Sequence, residues 1–243
     1  MLRYFRQLRQ RLLTDSKFSK YLLYAVGEIL LVVIGILIAL QIDNWNEGRK
    51  SDISAGAYRD RLISDIVQDT TNIKIAMELR RKTIANIQSY YRFFDSNRVS
   101  IEENLDISSK VDIELNRYFP VNYTFEDMKS SGNMNLLNEE QQHIMSELSQ
   151  AQERAQLVAE KLMTVFFHEA NEEQKYLGNW RPNKKDFYEA IGMKKDPEAM
   201  AQGLLHRQNK FNSLASYHVV MIETHNQIIE KSKDAIRILQ GED

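Results

Sequence analysis

The sequence predicts an all-α protein, with one N-terminal transmembrane helix followed by an elongated antiparallel helical bundle. Three observations support this fold class. One apolar stretch is long enough to cross a bilayer, three later stretches contain neither glycine nor proline, and apolar residues recur in each of these at steps of three and four. The average composition hides this division, because a mean hydropathy of −0.48 over 243 residues is typical of a soluble protein.

Residues 1–20 are predicted to be a basic cytoplasmic amphipathic segment. They carry six Lys or Arg residues against one Asp, which gives a net charge of +5 (6 − 1). Positively charged flanks stay in the cytoplasm, so the chain after the apolar stretch is expected on the other side of the membrane. Leu2, Phe5, Leu8 and Leu12 recur at helical spacing between arginines. This spacing fits an interfacial helix on anionic lipid, and the alternative is a segment that only sets the topology.

Residues 21–42 form the predicted transmembrane helix, since these 22 residues contain one charged side chain, that of Glu28. At 1.5 Å per residue the helix is roughly 33 Å long, close to the roughly 30 Å hydrocarbon layer of a bilayer. A cleaved signal peptide is the alternative, but its apolar core is shorter, and no small-x-small cleavage site follows here. The stretch therefore indicates an uncleaved signal anchor.

Glu28 is the most unusual residue of this span. Insertion of an Asp at the centre of a membrane helix costs about 2.5 to 3.5 kcal/mol, so ionisable groups there usually face a partner or a pathway. Glu28, Gly35 and Ala39 share one helical face, and Gly35 with Ala39 forms a small-xxx-small pair that permits close helix approach. These three residues predict an intramembrane helix contact. The alternatives are a proton-linked carboxylate and a Glu28 near the interface that has no role.

Residues 43–243 are predicted to form a periplasmic helical-bundle domain. Their net charge is −6, from −2 for the whole chain, less +5 for the tail and −1 for the span. The stretches without glycine or proline lie between Gly56 and Pro120, between Gly132 and Gly178, and between Gly203 and Gly241. Three long amphipathic helices can bury one another's apolar stripes, and a fourth helix, from this chain or a partner, could complete the bundle.

Each predicted helix has a stripe of residues expected to be buried. The first stripe is Ile63, Ile66, Thr70, Ile73, Met77, Arg80, Ile84, Ile87, Tyr91 and Phe94. The second is Ile144, Leu148, Ala151, Ala155, Val158, Leu162 and Val165. The third is Phe211, Leu214, His218, Met221, His225, Ile228, Ser232, Ala235 and Leu239. The steps of three and four place each set on one face of a helix.

Capping residues locate the helix ends. Asn138 and Gln141 form a capping-box pattern, and Asp196 with Pro197 predicts the start of the third helix. Gly178 and Gly241 are the expected C-terminal stops. In the connecting residues 97–137 we expect a short helix near Phe125 to Ser130 and a brief strand at the sequence VDIEL, and residues 179–195 form the second connection.

His218 and His225, with Arg80 and Thr70 on the first helix, are predicted to form a polar core or ligand site. The histidines are seven residues apart, roughly 10.5 Å along the helix axis, which is too far for both to bind one zinc ion. No metal site is therefore expected. A buried polar layer of this kind can fix the helix register, and it can also bind a small polar ligand.

Motifs of the common enzyme classes are absent from the sequence. It contains no Gly-rich phosphate loop, no G-x-S-x-G, no HExxH and no cysteine, so neither catalytic residues nor a cofactor are expected. The charge of −6 on the domain argues against a nucleic-acid partner. Nine Gly and three Pro exclude a collagen-like chain.

Two stretches resemble a known family. FSKYLLYAVGEILLVVIGILIALQIDNWNEGRK and the later TFEDMKSSGNMNLL are similar to an uncharacterised family of Bacteroidota single-pass membrane proteins, catalogued as a domain of unknown function. The pair GE inside the span and QIDNWNE after it are the most specific part. The resemblance implies a bacterial inner-membrane protein with one N-terminal span, its N-terminus cytoplasmic and its domain periplasmic, and it implies no activity.

The expected function is that of a non-enzymatic bitopic inner-membrane protein whose periplasmic domain serves assembly, scaffolding or protein interaction. The expected partners are membrane lipids and either a second copy of the chain or another membrane protein. One alternative is a periplasmic ligand-sensing module, which a cavity lined by His218, His225 and Arg80 would favour. The other is an accessory subunit of a proton-driven envelope complex that uses Glu28, by analogy of topology.

Overall fold

The computed structural model describes residues 16–96, 98–178, 192 and 196–241, and every regular element in these ranges is helical. The helices are α1 (Ser16–Ser96), α2 (Ile101–Ser109), α3 (Tyr123–Ser131), a 3₁₀ helix (Asn133–Leu136), α4 (Glu139–Leu177) and α5 (Pro197–Gln240). The all-α prediction is confirmed. Most of the predicted interfacial segment, residues 1–20, and of the connection 179–195 lies outside the described residues.

Helix α1 holds one candidate membrane span. It runs for 81 residues and passes Gly48 and Gly56 without a break, in a part of the chain that contains no proline before Pro120. An 18-residue window in its apolar part has a mean hydropathy of 2.6, and none of that window is buried. The chain divides into two compact units, Met1–Gly56 and Ala57–Asp243, and the apolar part of α1 belongs to the first.

The helix ends follow the predicted capping chemistry. Asn138 accepts a hydrogen bond from the backbone of Gln141 at 2.8 Å, and the Gln141 side chain accepts one from the Asn138 backbone, so the capping box is complete. Asp196 caps α5 just before Pro197. The ends of α4 and α5 fall at Gly178 and Gly241, as predicted, with φ of 63° and 75°. These are positive φ values that favour glycine.

In the second unit, residues 98–137 run back along α1, and we call them the return segment. Tyr90, late in α1, donates to Asn104 at 2.9 Å, whereas Tyr58, early in the unit, donates to Asp127 at 3.3 Å. The return segment is therefore antiparallel to α1. It contains α2, α3 and the 3₁₀ helix, and it occupies the fourth position in the bundle that the sequence left open.

Helices α4 and α5 also pack antiparallel to each other. Glu173, near the end of α4, pairs with Arg207 near the start of α5 at 2.9 Å, and Glu147 near the start of α4 pairs with Lys231 at 2.8 Å. Helix α5 is antiparallel to α1 as well, since Tyr91 bonds the backbone of Gln208 and Arg80 bonds His218. The unit is an up-down-up-down bundle in which the return segment forms one of the four layers.

The buried stripes are predicted fully for α5 and partly for the other two helices. All nine residues of the α5 stripe are buried. In α1 the buried face is shifted, because Asp69, Thr83 and Tyr90 are buried while Thr70 is half-buried. In α4 Val165 is exposed, and Phe166 is buried in its place. The buried face of α1 is shifted because the return segment packs beside it, and this segment is not helical throughout.

The predicted strand at VDIEL is wrong, whereas the short helix predicted near Phe125 to Ser130 is confirmed as α3. Residues 111–122 have no regular secondary structure. Side chains of α1 satisfy part of their backbone, since the Thr83 hydroxyl accepts from the Glu114 amide at 3.2 Å and Asn86 donates to the Asp112 carbonyl at 2.8 Å. A helix, rather than another strand, thus supplies these hydrogen bonds.

Candidate functional site

A row of buried polar residues on α1 faces the irregular part of the return segment. Arg80 and Asp69 are 1% and 0% exposed. Residues of these types are almost never fully buried unless they are paired. Each of the two bonds the return segment, and each also bonds a side chain from another helix. The candidate functional site is built around these two residues.

Arg80 links its own helix to two other layers of the bundle. Its Nη1 lies 3.1 Å from Nδ1 of His218 on α5, and its Nη2 donates to the carbonyl oxygen of Asn116 at 2.8 Å. The guanidinium carbon lies 4.9 Å from the ring centre of Tyr217, which is a cation–π contact. The Tyr217 hydroxyl donates to the same Asn116 carbonyl at 3.0 Å. Arg80 is thereby held rigidly between α5 and the return segment.

His218 is neutral and in one tautomer. Because arginine only donates hydrogen bonds, Nδ1 of His218 must accept, and the proton of the neutral ring lies on Nε2. Burial lowers the pKa of His218 to about 4, and the positive charge of Arg80 acts in the same direction, while the Glu114 backbone opposes both. Nε2 is buried, and the Glu114 backbone is the polar group next to it, but in the described part of the chain Nε2 forms no hydrogen bond of ordinary geometry.

His225 lies two turns further along α5 and is completely buried. Its ring packs edge-on against Tyr118 with ring centres 4.9 Å apart, and neither ring nitrogen has a hydrogen-bond partner. Burial lowers its pKa to about 4, and the charge of Arg80 lowers it as well. Ser232, two more turns along, also has a buried hydroxyl without a partner. An unsatisfied buried polar group costs about 1–3 kcal/mol, so its retention calls for an explanation.

Asp69 is the second centre of the site and is fully bonded. Its carboxylate accepts from the Tyr118 hydroxyl at 2.8 Å, from the Val121 amide at 3.0 Å and from the Gln152 amide at 2.9 Å. Burial raises the pKa of Asp69, although these three hydrogen bonds act to lower it. Asp69 therefore ties α1 to the return segment and to α4.

An open groove of about 330 Å³ adjoins the site. It is lined by three residues of the return segment, six of α4, and Tyr217 of α5. Tyr118 and Tyr217 line its floor, and both hydroxyls are bonded inward, so the floor is apolar. Phe119 and Phe167 are exposed at its walls, and Arg117 and Glu160 supply one charge of each sign. The volume is in the range of small-molecule sites.

The predicted polar site is brought together only in part. Arg80 and His218 are hydrogen-bonded, and His225 lies close enough for the charge of Arg80 to lower its pKa. Thr70 is not part of the cluster, because its hydroxyl donates to the Val67 carbonyl of its own helix at 3.0 Å. The two histidines and Arg80 do not line the groove, which is separated from them by Tyr118 and Tyr217.

Sequence reasoning missed Asp69, Tyr118 and Gln152. Ile66, Asp69 and Ile73 follow steps of three and four as well as Ile66, Thr70 and Ile73 do, so periodicity gives no reason to choose between them. Tyr118 and the Asn116 carbonyl come from a segment without periodicity, and no local signal identifies them.

The predicted membrane contact residues lie on one exposed face of α1. Glu28, Gly35 and Ala39 are all exposed, and a Cβ added at Gly35 would meet nothing within 4 Å. The face is therefore open to another helix. Among the described residues, no three His, Asp or Glu side chains are placed to share a metal ion.

The fold and the site define a helical-bundle protein with one candidate membrane span and a buried polar centre. Residues 28–169 match the family described as "Family of unknown function (DUF6090)", which is 142 of the 243 residues. The chain belongs to this family. The matched range includes Arg80 and Asp69 but ends before α5 and its histidines. No curated protein and no solved structure was found to resemble the chain.

Proposed function

We propose that this chain is a non-enzymatic, membrane-anchored assembly protein of a bacterial inner membrane, with the N-terminus in the cytoplasm and the helical bundle in the periplasm. In this role the span associates with a second copy of itself through the face of Glu28, Gly35 and Ala39. The observation that carries the proposal is that this face is open to solvent on a candidate span in which none of the described side chains is buried.

In a membrane this face of the span gains more from association than the other faces do. Apolar residues of the span are as well solvated by lipid as by another helix, so they give little reason to associate. Glu28 differs, since a carboxyl group in hydrocarbon gains a hydrogen bond when it meets a polar partner. Gly35 and Ala39, on the same face, let two backbones approach closely. A second copy supplies both the small face and the matching carboxyl.

The absence of cysteine from the sequence allows a clean crosslinking test in native membranes. We expect Ala39→Cys to form a disulfide-linked dimer on mild oxidation, because the small face lies in the contact. Leu37→Cys is the matched control, since it lies at similar depth on the opposite side of the helix. Equal crosslinking at both positions, or none at Ala39, would count against the contact.

The role of Glu28 in this contact is tested in the same assay. Glu28→Gln keeps a hydrogen-bonding side chain, so it is expected to retain most of the Ala39→Cys crosslink. Glu28→Leu removes hydrogen bonding and is expected to reduce the crosslink several-fold. A dimer that is as abundant with Leu as with Glu would show that the carboxyl makes no contribution.

The proposed topology is tested with single cysteines at Gln7 and at Ser130, which lies on α3. A membrane-impermeant maleimide added to cells with a permeabilised outer membrane is expected to label Ser130→Cys. Gln7→Cys is expected to react only after the cells are lysed. The reverse pattern would place the bundle in the cytoplasm.

The groove favours a second candidate function, a periplasmic ligand-sensing module. An apolar floor with one cation and one anion at the walls suits a small amphipathic molecule. Native mass spectrometry of the full chain in mild detergent is expected to show a retained small molecule. Thr164→Trp, which fills the groove, should remove it, whereas Val165→Trp at the neighbouring exposed position should not. If both variants retain the small molecule, the groove is not its binding site.

A further inference from the structure

Arg80 is a buried cation. Its hydrogen bonds go to a neutral histidine and a backbone carbonyl, and in the described part of the chain it forms no ion pair with a carboxylate. Removing a charge from water costs several kcal/mol per ion unless an opposite charge or a full set of hydrogen bonds compensates. The Nε of Arg80 has no hydrogen-bond partner at all.

The other buried charge of α1 is too distant to compensate Arg80. Asp69 lies eleven residues earlier, roughly 16 Å along the helix, and its oxygens already accept three hydrogen bonds. At such a distance a charge pair gains far less than a contact pair, because the Coulomb energy falls with separation. Among the described residues, therefore, no negative charge compensates the positive charge of Arg80.

Unpartnered hydrogen-bond donors lie beside this charge. Besides Nε of Arg80 they are the protonated Nε2 of His218 and the N–H of His225, whichever ring nitrogen carries it. Water could satisfy some of these donors, but a water molecule leaves the charge of Arg80 uncompensated. A negative ion satisfies the donors and the charge together.

We infer that Arg80, together with the imidazole N–H of either His218 or His225, forms a buried site for a small monovalent anion, either a halide such as chloride or a carboxylate of formate size. One guanidinium supplies one charge, which sets the valence. The enclosing side chains set the size, because the three residues are at most 1% exposed. This inference is independent of the membrane contact proposed above, since it concerns the second unit alone.

The groove provides an approach to this site. Tyr118 packs on His225, Tyr217 packs on Arg80, and both rings line the groove floor. These two rings separate the site from the groove, so an anion entering from the groove would have to displace one of them. Arg117 at the groove wall adds a positive charge on this approach.

The direct test is diffraction from crystals of the full chain grown with bromide in place of chloride. We expect an anomalous bromide peak within hydrogen-bond distance of Arg80 Nε and of at least one of the two imidazoles. A second set of crystals grown in formate without halide distinguishes the carboxylate source, which would appear as planar density bonded to the guanidinium. Water alone at this position in both crystals would overturn the inference.

A solution measurement keeps the inference testable without crystals. Thermal unfolding of the full chain in detergent is followed in sodium chloride and in sodium gluconate at equal ionic strength, since gluconate is too large for the site. We expect the melting temperature to rise by several degrees with chloride and much less with gluconate. Arg80→Gln should abolish this difference, and Arg81→Gln, at an exposed neighbouring position, should retain it. Equal melting temperatures of the unmodified chain in the two salts, and in formate, would contradict the inference.

Discussion

Single polar residues on α1 determine how the irregular part of the return segment is held. A segment without helix or strand has no regular partner for its backbone groups, and burial makes unpaired groups costly. Asp69 accepts from the amide of Val121, and Arg80 donates to the carbonyl of Asn116. The same two residues reach α4 and α5 through Gln152 and His218. A few side chains therefore do what a ladder of backbone hydrogen bonds does in a sheet.

The neighbours Asp69 and Thr70 are predicted to differ sharply in their contribution to stability. Asp69→Ala leaves three buried donors without an acceptor, so we expect the free energy of unfolding to fall by about 3 kcal/mol or more. Thr70→Ala removes only a bond within its own helix and is expected to cost less than about 0.5 kcal/mol. Urea unfolding measures both, and similar losses at the two positions would show that the buried face of α1 has been assigned incorrectly.

Stability is predicted to fall between pH 6.5 and pH 4. Burial lowers the pKa of both His218 and His225 from 6.5 to about 4, so below pH 6.5 the unfolded chain takes up protons that the folded chain does not. The contribution of these two histidines to the free energy of unfolding is fully present above pH 6.5. It is lost as the pH falls, by about 3 kcal/mol for each histidine at pH 4. The pKa of Asp69 is raised, so the folded chain takes up this proton at a higher pH than the unfolded chain does. Its contribution to stability therefore increases as the pH falls through the raised pKa.

The measurement is urea unfolding at a series of pH values in chloride-free buffer, because a bound anion would favour the protonated imidazoles. His225→Leu is expected to halve the slope of the free energy of unfolding against pH between pH 6.5 and 5. This holds whatever the effect of the substitution on stability at neutral pH. A slope that persists in a variant lacking both His218 and His225 would assign it to other groups.

At the scale of the elements, helix ends and close approaches fix how α4 and α5 pack. Gly203, near the start of α5, is buried against Leu177 and Tyr176 at the end of α4. A Cβ added at Gly203 would overlap Cγ of Leu177 and lie 3.0 Å from Cβ of Tyr176. Glycine is therefore required here by the closeness of two helices, although it lowers the intrinsic stability of a helix interior.

Gly203→Ala is accordingly predicted to destabilise the bundle. Alanine favours a helix over glycine by about 1 kcal/mol, but the overlap with Leu177 forces a shift in a packed core, at a cost of about 1–3 kcal/mol. Thermal unfolding should show a lower melting temperature for the variant. In the Leu177→Ala background the same substitution should be neutral or stabilising, because the overlapping atom is gone. A stabilising effect in the unmodified chain would mean that the two helices are further apart.

The two compact units of the chain differ in where their apolar side chains lie. The core cluster of buried apolar residues lies in the unit Ala57–Asp243, whereas the described side chains in the apolar part of α1, in the unit Met1–Gly56, are exposed. Apolar side chains exposed in this number are unfavourable in water but favourable in lipid. The proposed membrane anchor accounts for this difference between the two units.

A fragment of residues 57–243 is predicted to fold without a membrane. It contains all of the buried core cluster, so it is expected to remain soluble without detergent and to keep the circular dichroism of a helical bundle. The full chain is expected to stay in the membrane fraction until detergent is added. Cooperative thermal unfolding of the fragment is the measurement, and an aggregated fragment would show that residues 1–56 are needed for folding.

The sequence predicted features of this fold that depend on nearby residues. The candidate span follows from hydropathy, the ends of α4 and α5 follow from Asn138, Asp196 and two glycines, and the stripe of α5 follows from steps of three and four. Capping is decided within one turn of the chain, and the apolar character of a candidate span within about 20 consecutive residues, so both can be recognised from neighbouring residues alone. Arg80 and the two histidines were found for the same reason, since polar residues on an apolar stripe are visible locally.

The inward-facing polar residue of α1 and its hydrogen-bond partners depend on how the layers of the bundle pack. Asp69 and Thr70 differ by 100° around the helix axis and fit the same periodicity, so the choice depends on the return segment that packs there. That segment has no periodicity, and its Tyr118 and Asn116 carbonyl reach the site across more than thirty residues of chain. Contacts between residues so far apart in sequence depend on how whole layers pack, and no local pattern records them.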